Sequence, residues 1–274
     1  MPKPFDPAAF GAFEHAGWER AGEEYPESFG QITRQCAEPL LDAVRTGPGL
    51  RLLDVACGPG FVAAAAAARG ARAVGIDFSS SMVALARRAH PAVEFRQADA
   101  EALPFPDADF DAVVCAFGIL HFPRPAAAIA EACRVLRPGG TFALTDWVPN
   151  QSGTFLGLFA DAVKAHGNPR VAVPPGPPVG QFADRAHCSQ ALQAAGFAAP
   201  QFAPVTPVLT GIPASQVVAF HTQGTVRTRA VFDLQTPEQQ TAIRNAITEQ
   251  ARLLEHDGVV RIPCPALLTW AVKP

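Results

Sequence analysis

Three aspartates stand in or directly after short apolar runs, where a carboxylate can reach a ligand. Asp54 lies within residues 50–56, Asp77 ends the next apolar run, and Asp99 follows the third. In an open α/β sheet, a carboxylate at the end of a strand can accept both hydroxyls of a ribose, which makes Asp77 the candidate. Asp99 can accept from an exocyclic amine such as that of adenine. The positions predict a nucleoside site.

A glycine-rich turn, Cys-Gly-Pro-Gly at residues 57–60, precedes an alanine-rich segment. Glycines let a ligand approach the backbone closely, and the free N–H groups at a helix start attract polar or anionic groups. Gly58, Gly60 and Ala63 match the dinucleotide fingerprint, but Ala63 opens a run of six alanines, so the match is weak. A nicotinamide-dependent oxidoreductase is therefore an alternative. The Asp-Ala pair at 99–100 and the lack of a Tyr-x-x-x-Lys motif argue against it.

Strands and helices alternate through the first half of the chain. The apolar runs predict strands at residues 50–56, 73–77, 93–96, 110–116 and 141–147. Helices are predicted at residues 31–45, 61–69, 79–89 and 125–136. This alternation implies parallel strands joined by helical crossovers. The carboxyl ends of parallel strands meet at one edge of the sheet, which is where such folds bind ligands.

The composition changes near residue 148. Helices are predicted at 152–166, 184–195, 214–223 and 236–255, and residues 201–210 are strand-like. The prolines of residues 171–180 predict a stiff exposed loop, either a gate for substrate or a plain connector. We therefore expect an N-terminal lid segment (1–30), a ligand-binding core (31–147), a substrate-side insert or cap (148–255) and strands that rejoin the core (256–274).

Five motifs in order resemble those of a known family. They are Leu-Leu-Asp at 52–54, Ala-Cys-Gly-Pro-Gly at 56–60, Gly-Ile-Asp at 75–77, Asp-Ala at 99–100 and Leu-Arg-Pro-Gly-Gly at 136–140. Through them the chain resembles the class I S-adenosylmethionine-dependent methyltransferases, most closely the small-molecule group that includes the ubiquinone/menaquinone-biosynthesis type. The resemblance covers about residues 31–147. It implies an α/β fold with a Rossmann-like, doubly wound sheet of seven strands, the last antiparallel, plus a helical cap.

The resemblance also implies a binding site for S-adenosylmethionine. The residues implied to bind it are Tyr25, Thr33, Asp54, Ala56, Gly58, Gly60, Asp77, Phe78, Met82, Asp99, Ala100, Cys115 and Ala116. The turn at 56–60 would meet the methionine part, Asp77 the ribose, and Asp99 with Ala100 the adenine edge. Phe78 would flank the adenine ring.

Further implied contacts come from the lid segment and from the fourth strand. Tyr25 would bond the carboxylate of the cofactor, and Thr33 or Arg34 could do the same. Cys115 and Ala116, at the end of the fourth strand, would lie beside the methionine part. A solvent-facing helix start is the alternative for the lid residues.

His121, just past the fourth strand, is the candidate catalytic residue. It lies at the ligand-binding edge and could orient or deprotonate a substrate hydroxyl; a structural histidine that bonds a loop is the alternative. A sulfonium makes its methyl carbon electrophilic, so the protein mainly has to hold a nucleophile in line and keep water away.

The implied reaction moves a methyl group to O, C or N of a small aromatic or apolar metabolite and releases S-adenosylhomocysteine. Two other readings keep the cofactor. A protein of this fold could use bound S-adenosylmethionine in a reaction without methyl transfer, or it could be a non-catalytic regulator that binds the cofactor.

The composition of the 274 residues narrows the range of binding partners that the protein can have. A net charge of −3 disfavours nucleic acid, and no Asn/Asp-Pro-Pro-Tyr motif for base methylation is present. No apolar stretch approaches the length of a membrane span, and the first residues lack the apolar run of a signal peptide. We expect a cytoplasmic, bacterial monomer or homodimer with a small-molecule substrate and with no nucleic acid or membrane partner.

Cysteines and histidines indicate no metal site. The six cysteines form no C-x-x-C pair, which is typical of free thiols in a reducing compartment, and no His/Cys/Asp cluster has metal-ligand spacing. The histidines in or beside the insert are expected to be structural or exposed: His166, His187, His221 and His256. Four of its phenylalanines either line a flat pocket or pack in the core: Phe155, Phe159, Phe182 and Phe220.

Overall fold

The computed structural model describes residues 5–149 and 151–274. Residues 1–4, at the start of the predicted lid segment, and residue 150, in the predicted insert, lie outside the described residues. The strands are β1 (Arg51–Val55), β2 (Arg72–Asp77), β3 (Glu94–Gln97), β4 (Phe110–Ala116), β5 (Leu136–Trp147), β6 (Gln201–Val205), β7 (Val208–Thr210), β8 (Glu255–His256), β9 (Val259–Pro263) and β10 (Ala266–Val272). The α-helices are α1 (Pro7–Ala21), α2 (Gly30–Thr33), α3 (Ala37–Ala43), α4 (Phe61–Ala68), α5 (Ser80–Ala89), α6 (Pro125–Val135), α7 (Phe155–His166), α8 (Arg185–Ala194), α9 (Val217–Gln223), α10 (Arg227–Asp233) and α11 (Pro237–Arg252). The 3₁₀-helices are Arg34–Cys36, Ile119–His121, Gln181–Ala183 and Ala214–Gln216.

The main sheet has seven strands in the order β3-β2-β1-β4-β5-β10-β6. Strands β1 to β5 are parallel, and β10 runs antiparallel between β5 and β6. The predicted Rossmann-like sheet with an antiparallel last strand is confirmed. The loops that follow β1, β2, β3 and β4 are therefore neighbours at one edge. A smaller sheet has the order β7-β9-β8.

Alternate residues of the central strands face opposite layers of helices. On β4, Ala112 and Val114 belong to the core cluster that includes α3 and α4, whereas Val113 and Cys115 belong to the cluster with α6 and α8. This alternation follows from the two-residue period of a strand. Because both faces of the sheet are covered, the carboxyl edge is where a ligand can enter.

The chain after residue 148 does not form the single insert predicted for residues 148–255. Strand β6 pairs with β10 and completes the main sheet, and α8 packs on the core. The predicted strand-like segment 201–210 is divided between two sheets, since β7 pairs with β9. A free edge of β10 would leave backbone N–H and C=O groups unpaired, and β6 satisfies them. The cap consists of α7 and residues 208–263, around one apolar cluster.

The predicted helix at residues 31–45 is interrupted. It is built as α2, the 3₁₀-helix Arg34–Cys36 and α3. Pro39 accounts for the break, because a proline has no N–H to donate and its ring excludes a helical carbonyl four residues earlier, at Gln35.

Helix α1 occupies much of the lid segment and was not predicted. The side chain of Asp6 caps it by accepting from the backbone N–H of Ala8 at 3.0 Å and of Ala9 at 3.3 Å. Pro7 occupies the first turn, where its fixed φ and missing N–H are tolerated. The Asp-Pro start was a usable signal for a helix.

Candidate functional site

A cavity of about 630 Å³ opens at the carboxyl edge of the main sheet. The loops after β1, β2, β3 and β4 form its floor, and residues 5–33, here called the N-terminal cover, contribute its other side. Twelve of the predicted site residues line it: Tyr25, Thr33, Asp54, Ala56, Gly58, Asp77, Phe78, Met82, Asp99, Ala100, Ala116 and His121. Two predicted residues, Gly60 and Cys115, are not among the lining residues.

Gly60 and Cys115 face away for different reasons. Gly60 caps α4 with φ +84°, and a Cβ there would lie 2.6 Å from a ring carbon of Phe95, so this glycine shapes the turn. Cys115 is 1% exposed and points to the opposite side of β4 from Ala116, because side chains alternate along a strand. Burial raises the pKa of Cys115 to about 12, so its thiol is a neutral core group.

Asp54 contributes a buried carboxyl group to the cavity. Its Oδ2 accepts from the backbone N–H of Ala63 at 3.0 Å, whereas its buried Oδ1 has no hydrogen-bond partner among the described residues. Burial raises the pKa of Asp54 to about 8, and the negative charge of Asp77 acts in the same direction. The ionised form therefore needs a donor or a cation beside it.

Asp77, at the end of β2, ties two loops together. Its Oδ2 accepts from the backbone N–H of Gly58 and its Oδ1 from that of Ser79, both at 2.9 Å. Burial raises the pKa of Asp77 to about 6, while these two N–H groups act against that rise. A carboxylate has about four acceptor sites, so lone pairs remain for a ligand in the cavity.

The loops after β2 and β3 form a mixed apolar and polar part of the cavity. Met82 is 2% exposed, and Phe78 meets His15 of the N-terminal cover edge-to-face, with ring centroids 5.4 Å apart. Ala100 is buried and Asp99 is exposed. This combination suits a flat heterocycle with one polar edge.

Two hydroxyl groups meet in the N-terminal cover. Tyr25 Oη and Thr33 Oγ1 are 2.8 Å apart, and both side chains line the cavity. Burial raises the pKa of Tyr25 to about 12, so the phenol stays protonated. The Thr33 hydroxyl also lies 3.4 Å from the carbonyl oxygen of Gly30, so the phenol hydrogen of Tyr25 is free for a ligand when Thr33 donates to Tyr25. Arg34 adds a positive charge to the same wall.

His121 contacts two residues that the sequence did not reveal. Its Nδ1 lies 2.8 Å from Oε2 of Glu14, a wholly buried side chain. The ring of Trp18 meets the imidazole edge-to-face, with centroids 5.0 Å apart and an interplanar angle of 86°. Both partners belong to α1. Because the sequence analysis did not predict this helix, it could not predict these two contacts.

Phe29, Phe117 and Trp147 form one side of the cavity, which we call the aromatic wall. Phe117 stacks on Trp147 with centroids 3.8 Å apart, and Phe29 lies 5.4 Å from Trp147. Phe117 follows β4 and Trp147 ends β5, so both sit at the same edge as the aspartates. The four phenylalanines considered from sequence are core residues outside the cavity lining: Phe155, Phe159, Phe182 and Phe220.

The remaining candidate histidines lie outside the cavity. His221 is fully buried and stacks on Phe155 with centroids 3.8 Å apart; burial lowers its pKa to about 3, so the ring is neutral. His166, His187 and His256 are exposed. In the described part of the chain, no group of three or more His, Cys, Asp or Glu side chains could hold a metal. The helices described here are too short or too polar to cross a bilayer.

Residues 53–144 match the sequence model of a family described as the methyltransferase domain. The match runs from β1 into β5 and includes the turn after β1, Asp77 and Asp99. These residues, here called the matched domain, are similar to a methyltransferase domain. The domain supplies the floor of the cavity, whereas the N-terminal cover and the cap lie outside the matched residues.

Curated relatives of this methyltransferase domain cover about half of the chain. The chain is 38% identical over 134 residues to a demethylmenaquinone methyltransferase of Renibacterium salmoninarum, which is 49% of this chain and 56% of the relative. It is 45% identical over 111 residues to the enzyme of the same name from Thermus thermophilus, 38% of this chain and 50% of the relative. The chain thus spans about half the length of these relatives.

Solved structures share the fold beyond the matched domain. A protein from Bacillus halodurans is 23% identical with a TM-score of 0.56, over 88% of this chain and 99% of that one. The (4+2)-cyclase SpnF is 25% identical with a TM-score of 0.54, over 88% of this chain and 80% of that one. In sequence and fold, the chain resembles the class I S-adenosylmethionine-dependent methyltransferases.

Proposed function

We propose that this chain is an S-adenosylmethionine-dependent methyltransferase that acts on a small molecule. One observation carries the proposal: Asp54, Asp77 and Asp99 stand at the carboxyl ends of three neighbouring parallel strands and line one cavity with the glycine turn before α4. Carboxylates in this arrangement suit a nucleoside that also carries positive charge. The match of residues 53–144 to the methyltransferase domain supports the same ligand.

The proposed contacts follow from the position of each carboxyl group. Asp77 accepts the ribose hydroxyls, and Asp99 accepts from the adenine amine, with Phe78 and Met82 beside the base. The buried Oδ1 of Asp54, which lacks a partner among the described residues, suits the ammonium of the methionine part, since a cation compensates the charge that burial disfavours.

The N-terminal cover would bind the opposite end of the methionine part. When Thr33 donates to Tyr25, the phenol hydrogen of Tyr25 can be donated to a carboxylate. Arg34 lines the same side of the cavity and would add charge attraction.

Methyl transfer then needs positioning more than bond chemistry from the protein. S-adenosylmethionine supplies an electrophilic methyl carbon when it is bound. The residues around it hold the acceptor in line, and the N-terminal cover keeps water from the cavity. The aromatic wall supports a flat, largely apolar acceptor.

Titration calorimetry with S-adenosylmethionine tests the proposal. Wild-type protein should bind it, and Asp77→Ala should weaken binding about 100-fold, because two hydrogen bonds to a charged group are lost. Asp161→Ala, which removes an exposed aspartate of α7 outside the cavity, is the matched control and should bind like wild type. No binding by wild type would refute the proposal, and equal affinity in Asp77→Ala would refute the ribose contact.

A second function keeps the cofactor and omits methyl transfer. The similarity to the (4+2)-cyclase SpnF, at 25% identity, is the observation that favours this second function. The two functions differ in the fate of the cofactor. S-adenosylhomocysteine that accumulates in step with product supports methyl transfer, and product without it supports the second function.

We also propose that the protein works in a reducing compartment such as the bacterial cytoplasm, with a small molecule as its partner. All six cysteines are free and buried, as is common in cytosolic proteins. The net charge of −3 argues against a nucleic acid partner.

A further inference from the structure

Glu14 and His121 form a pair that joins the N-terminal cover to the methyltransferase domain. The two residues are 107 positions apart, yet Glu14 Oε2 and His121 Nδ1 are separated by 2.8 Å. Glu14 is 0% exposed, and its Oε1 is buried without a partner among the described residues. Burying a carboxylate costs free energy unless it is paired or hydrogen-bonded. We therefore treat the contact between Glu14 and His121 as a specific interaction.

With Glu14 ionised, the contact favours the tautomer of His121 that carries its hydrogen on Nδ1. An ionised carboxylate can only accept, so Nδ1 must be the donor. In the neutral ring, Nε2 then holds the lone pair. Since His121 lines the cavity and Nδ1 is occupied by Glu14, Nε2 is the nitrogen that remains for a ligand.

Several contacts hold Glu14 in this position. On the same helix, Glu19 accepts from the backbone N–H of Ser80 at 2.6 Å, which fixes α1 to the start of α5. Trp18 packs against the imidazole ring of His121. Arg227 of the cap lies near Glu14: burial lowers the pKa of Arg227, and the charge of Glu14 acts in the opposite direction. The carboxylate therefore has positive charge beside it.

We propose that Glu14 is a positioning residue that prepares His121 as a general base for an acceptor with an aromatic hydroxyl. The inference rests on the proposed methyltransferase function. The acceptor oxygen forms a bond to the methyl carbon as the bond from that carbon to sulfur breaks, and the hydroxyl proton moves to His121 Nε2. The imidazolium is stabilised by Glu14 and later releases the proton to water, so that the products are the methyl ether, S-adenosylhomocysteine and one proton.

The aromatic wall supports a hydroxyl on a ring. Phe29, Phe117 and Trp147 line the same cavity as His121, and offset or edge contacts with such rings stabilise a flat acceptor. An amine or an activated carbon acceptor needs no base. The pair would then have no catalytic use, whereas a hydroxyl acceptor gives it one.

Nitrogen NMR of the histidine rings tests the positioning role without any substrate. Long-range proton–nitrogen spectra of the full-length chain, recorded over a pH series and read in the neutral form of the ring, should show His121 with hydrogen on Nδ1. The signals are assigned by their loss in His121→Asn. Glu14→Ala should give a mixture of the two tautomers, and Glu14→Gln should lie between. Glu27→Gln, which changes an exposed glutamate of the N-terminal cover outside the cavity lining, is the control and should keep the wild-type tautomer.

Two results would overturn the positioning role. One is wild-type protein with hydrogen on Nε2, and the other is Glu14→Ala with an unchanged spectrum. Calorimetry with S-adenosylmethionine on the same samples separates this failure from failure of the proposed function, because the tautomer does not depend on cofactor binding.

Turnover tests the acceptor class. Wild-type protein is given S-adenosylmethionine with a mixture of catechol, hydroquinone and 4-hydroxybenzoate, and S-adenosylhomocysteine is measured. We expect turnover that falls about 100-fold in His121→Asn and about 10-fold in Glu14→Gln, with cofactor affinity unchanged. Absence of S-adenosylhomocysteine in wild type that binds the cofactor would overturn the hydroxyl acceptor. Equal rates in wild type and Glu14→Ala would overturn the role of Glu14.

Discussion

Asp77 combines strong burial with two backbone hydrogen bonds. Burial raises its pKa to about 6, although the N–H groups of Ser79 and Gly58 favour the charged form. A folded-state pKa above the usual value means that the folded chain holds a proton which the unfolded chain has already lost. The contribution to stability is therefore complete at low pH and is lost as pH rises through about 6. A ligand that donates to the carboxylate would offset this loss.

Cofactor affinity should consequently depend on pH. If Asp77 must be ionised to accept two ribose hydroxyls, its protonation lowers affinity for S-adenosylmethionine below about pH 6, by up to about tenfold per pH unit. This loss adds to the one expected below about pH 8 if Asp54 must be ionised to bind the ammonium. Calorimetry between about pH 5 and about pH 7 measures the slope. In Asp77→Asn the affinity should be low and should keep only the weaker pH dependence that Asp54 contributes. An equal slope in wild type and Asp77→Asn would assign the titration to another group.

The turn after β1 shows why two of its glycines are not equivalent. Gly58 has φ +50° with open space around an added Cβ, whereas Gly60 has φ +84° and an added Cβ would lie 2.6 Å from Phe95 and 3.2 Å from His90. Both positions have the left-handed backbone that favours glycine. At Gly60 the neighbouring strand and helix also leave no room.

Alanine substitutions should separate these two effects. Gly58→Ala should lower the free energy of unfolding by about 1 kcal/mol, the usual cost of a left-handed non-glycine residue. Gly60→Ala should lower the free energy of unfolding by about 1–3 kcal/mol more than Gly58→Ala does, because overpacking adds to the backbone cost. Urea unfolding of the two variants measures the difference. Equal losses would mean that Phe95 moves aside freely.

Helix α1 contacts two parts of the molecule at once. One side reaches the matched domain, residues 53–144, through Glu19 and Ser80. The other side carries Phe10, which is fully buried and so close to the proline-rich loop that a Cβ on Gly176 would lie 2.2 Å from its ring. The predicted loop at 171–180 contains no helix or strand, and its contact with Phe10 makes it part of the packing over the cavity.

At the scale of the whole molecule, the cap and the N-terminal cover close on each other. Arg227 of α10 lies with its guanidinium carbon 5.8 Å from the centre of the Phe10 ring, and its Nη1 donates to the carbonyl oxygen of Pro177 at 3.0 Å. Three distant segments therefore meet at one aromatic ring. Because Gly11 and Ala12 of α1 line the cavity, a movement of α1 away from the cavity would disturb this junction.

Phe10→Ala should loosen the cover more than it destabilises the sheet. Removing a buried phenylalanine from a core costs about 3–5 kcal/mol; here we expect much of the effect as local opening, since the ring packs against movable segments. Hydrogen exchange should become faster in residues 5–21 and in the proline-rich loop, with β1 and β4 little changed. Phe142→Ala, a buried residue of β5, is the control and should accelerate exchange throughout the core. A uniform change in Phe10→Ala would contradict a separate cover.

Local patterns in the sequence were enough to predict the parallel strands of the main sheet and most of the residues that line the cavity. The two-residue alternation and the helices between strands determine a parallel sheet. A parallel sheet brings Asp54, Asp77 and Asp99 to one edge without any knowledge of packing. Gly60 and Cys115 were predicted as site residues but do not line the cavity, because motif spacing does not state which side of a turn or strand a residue faces.

Only the tertiary structure decided what completes the cavity. The contact of Glu14 with His121 and the stack of Phe117 on Trp147 join residues from separate elements, and such contacts depend on how whole layers pack. The same is true of residues 201–210, which divide between two sheets because the edge of β10 requires a partner. The sequence by itself thus determined the sheet edge at which the cavity opens, and packing determined which side chains from other elements line it. The reason is that the periodicity of strands and helices is a local property of the sequence, whereas side-chain neighbours across the fold are not.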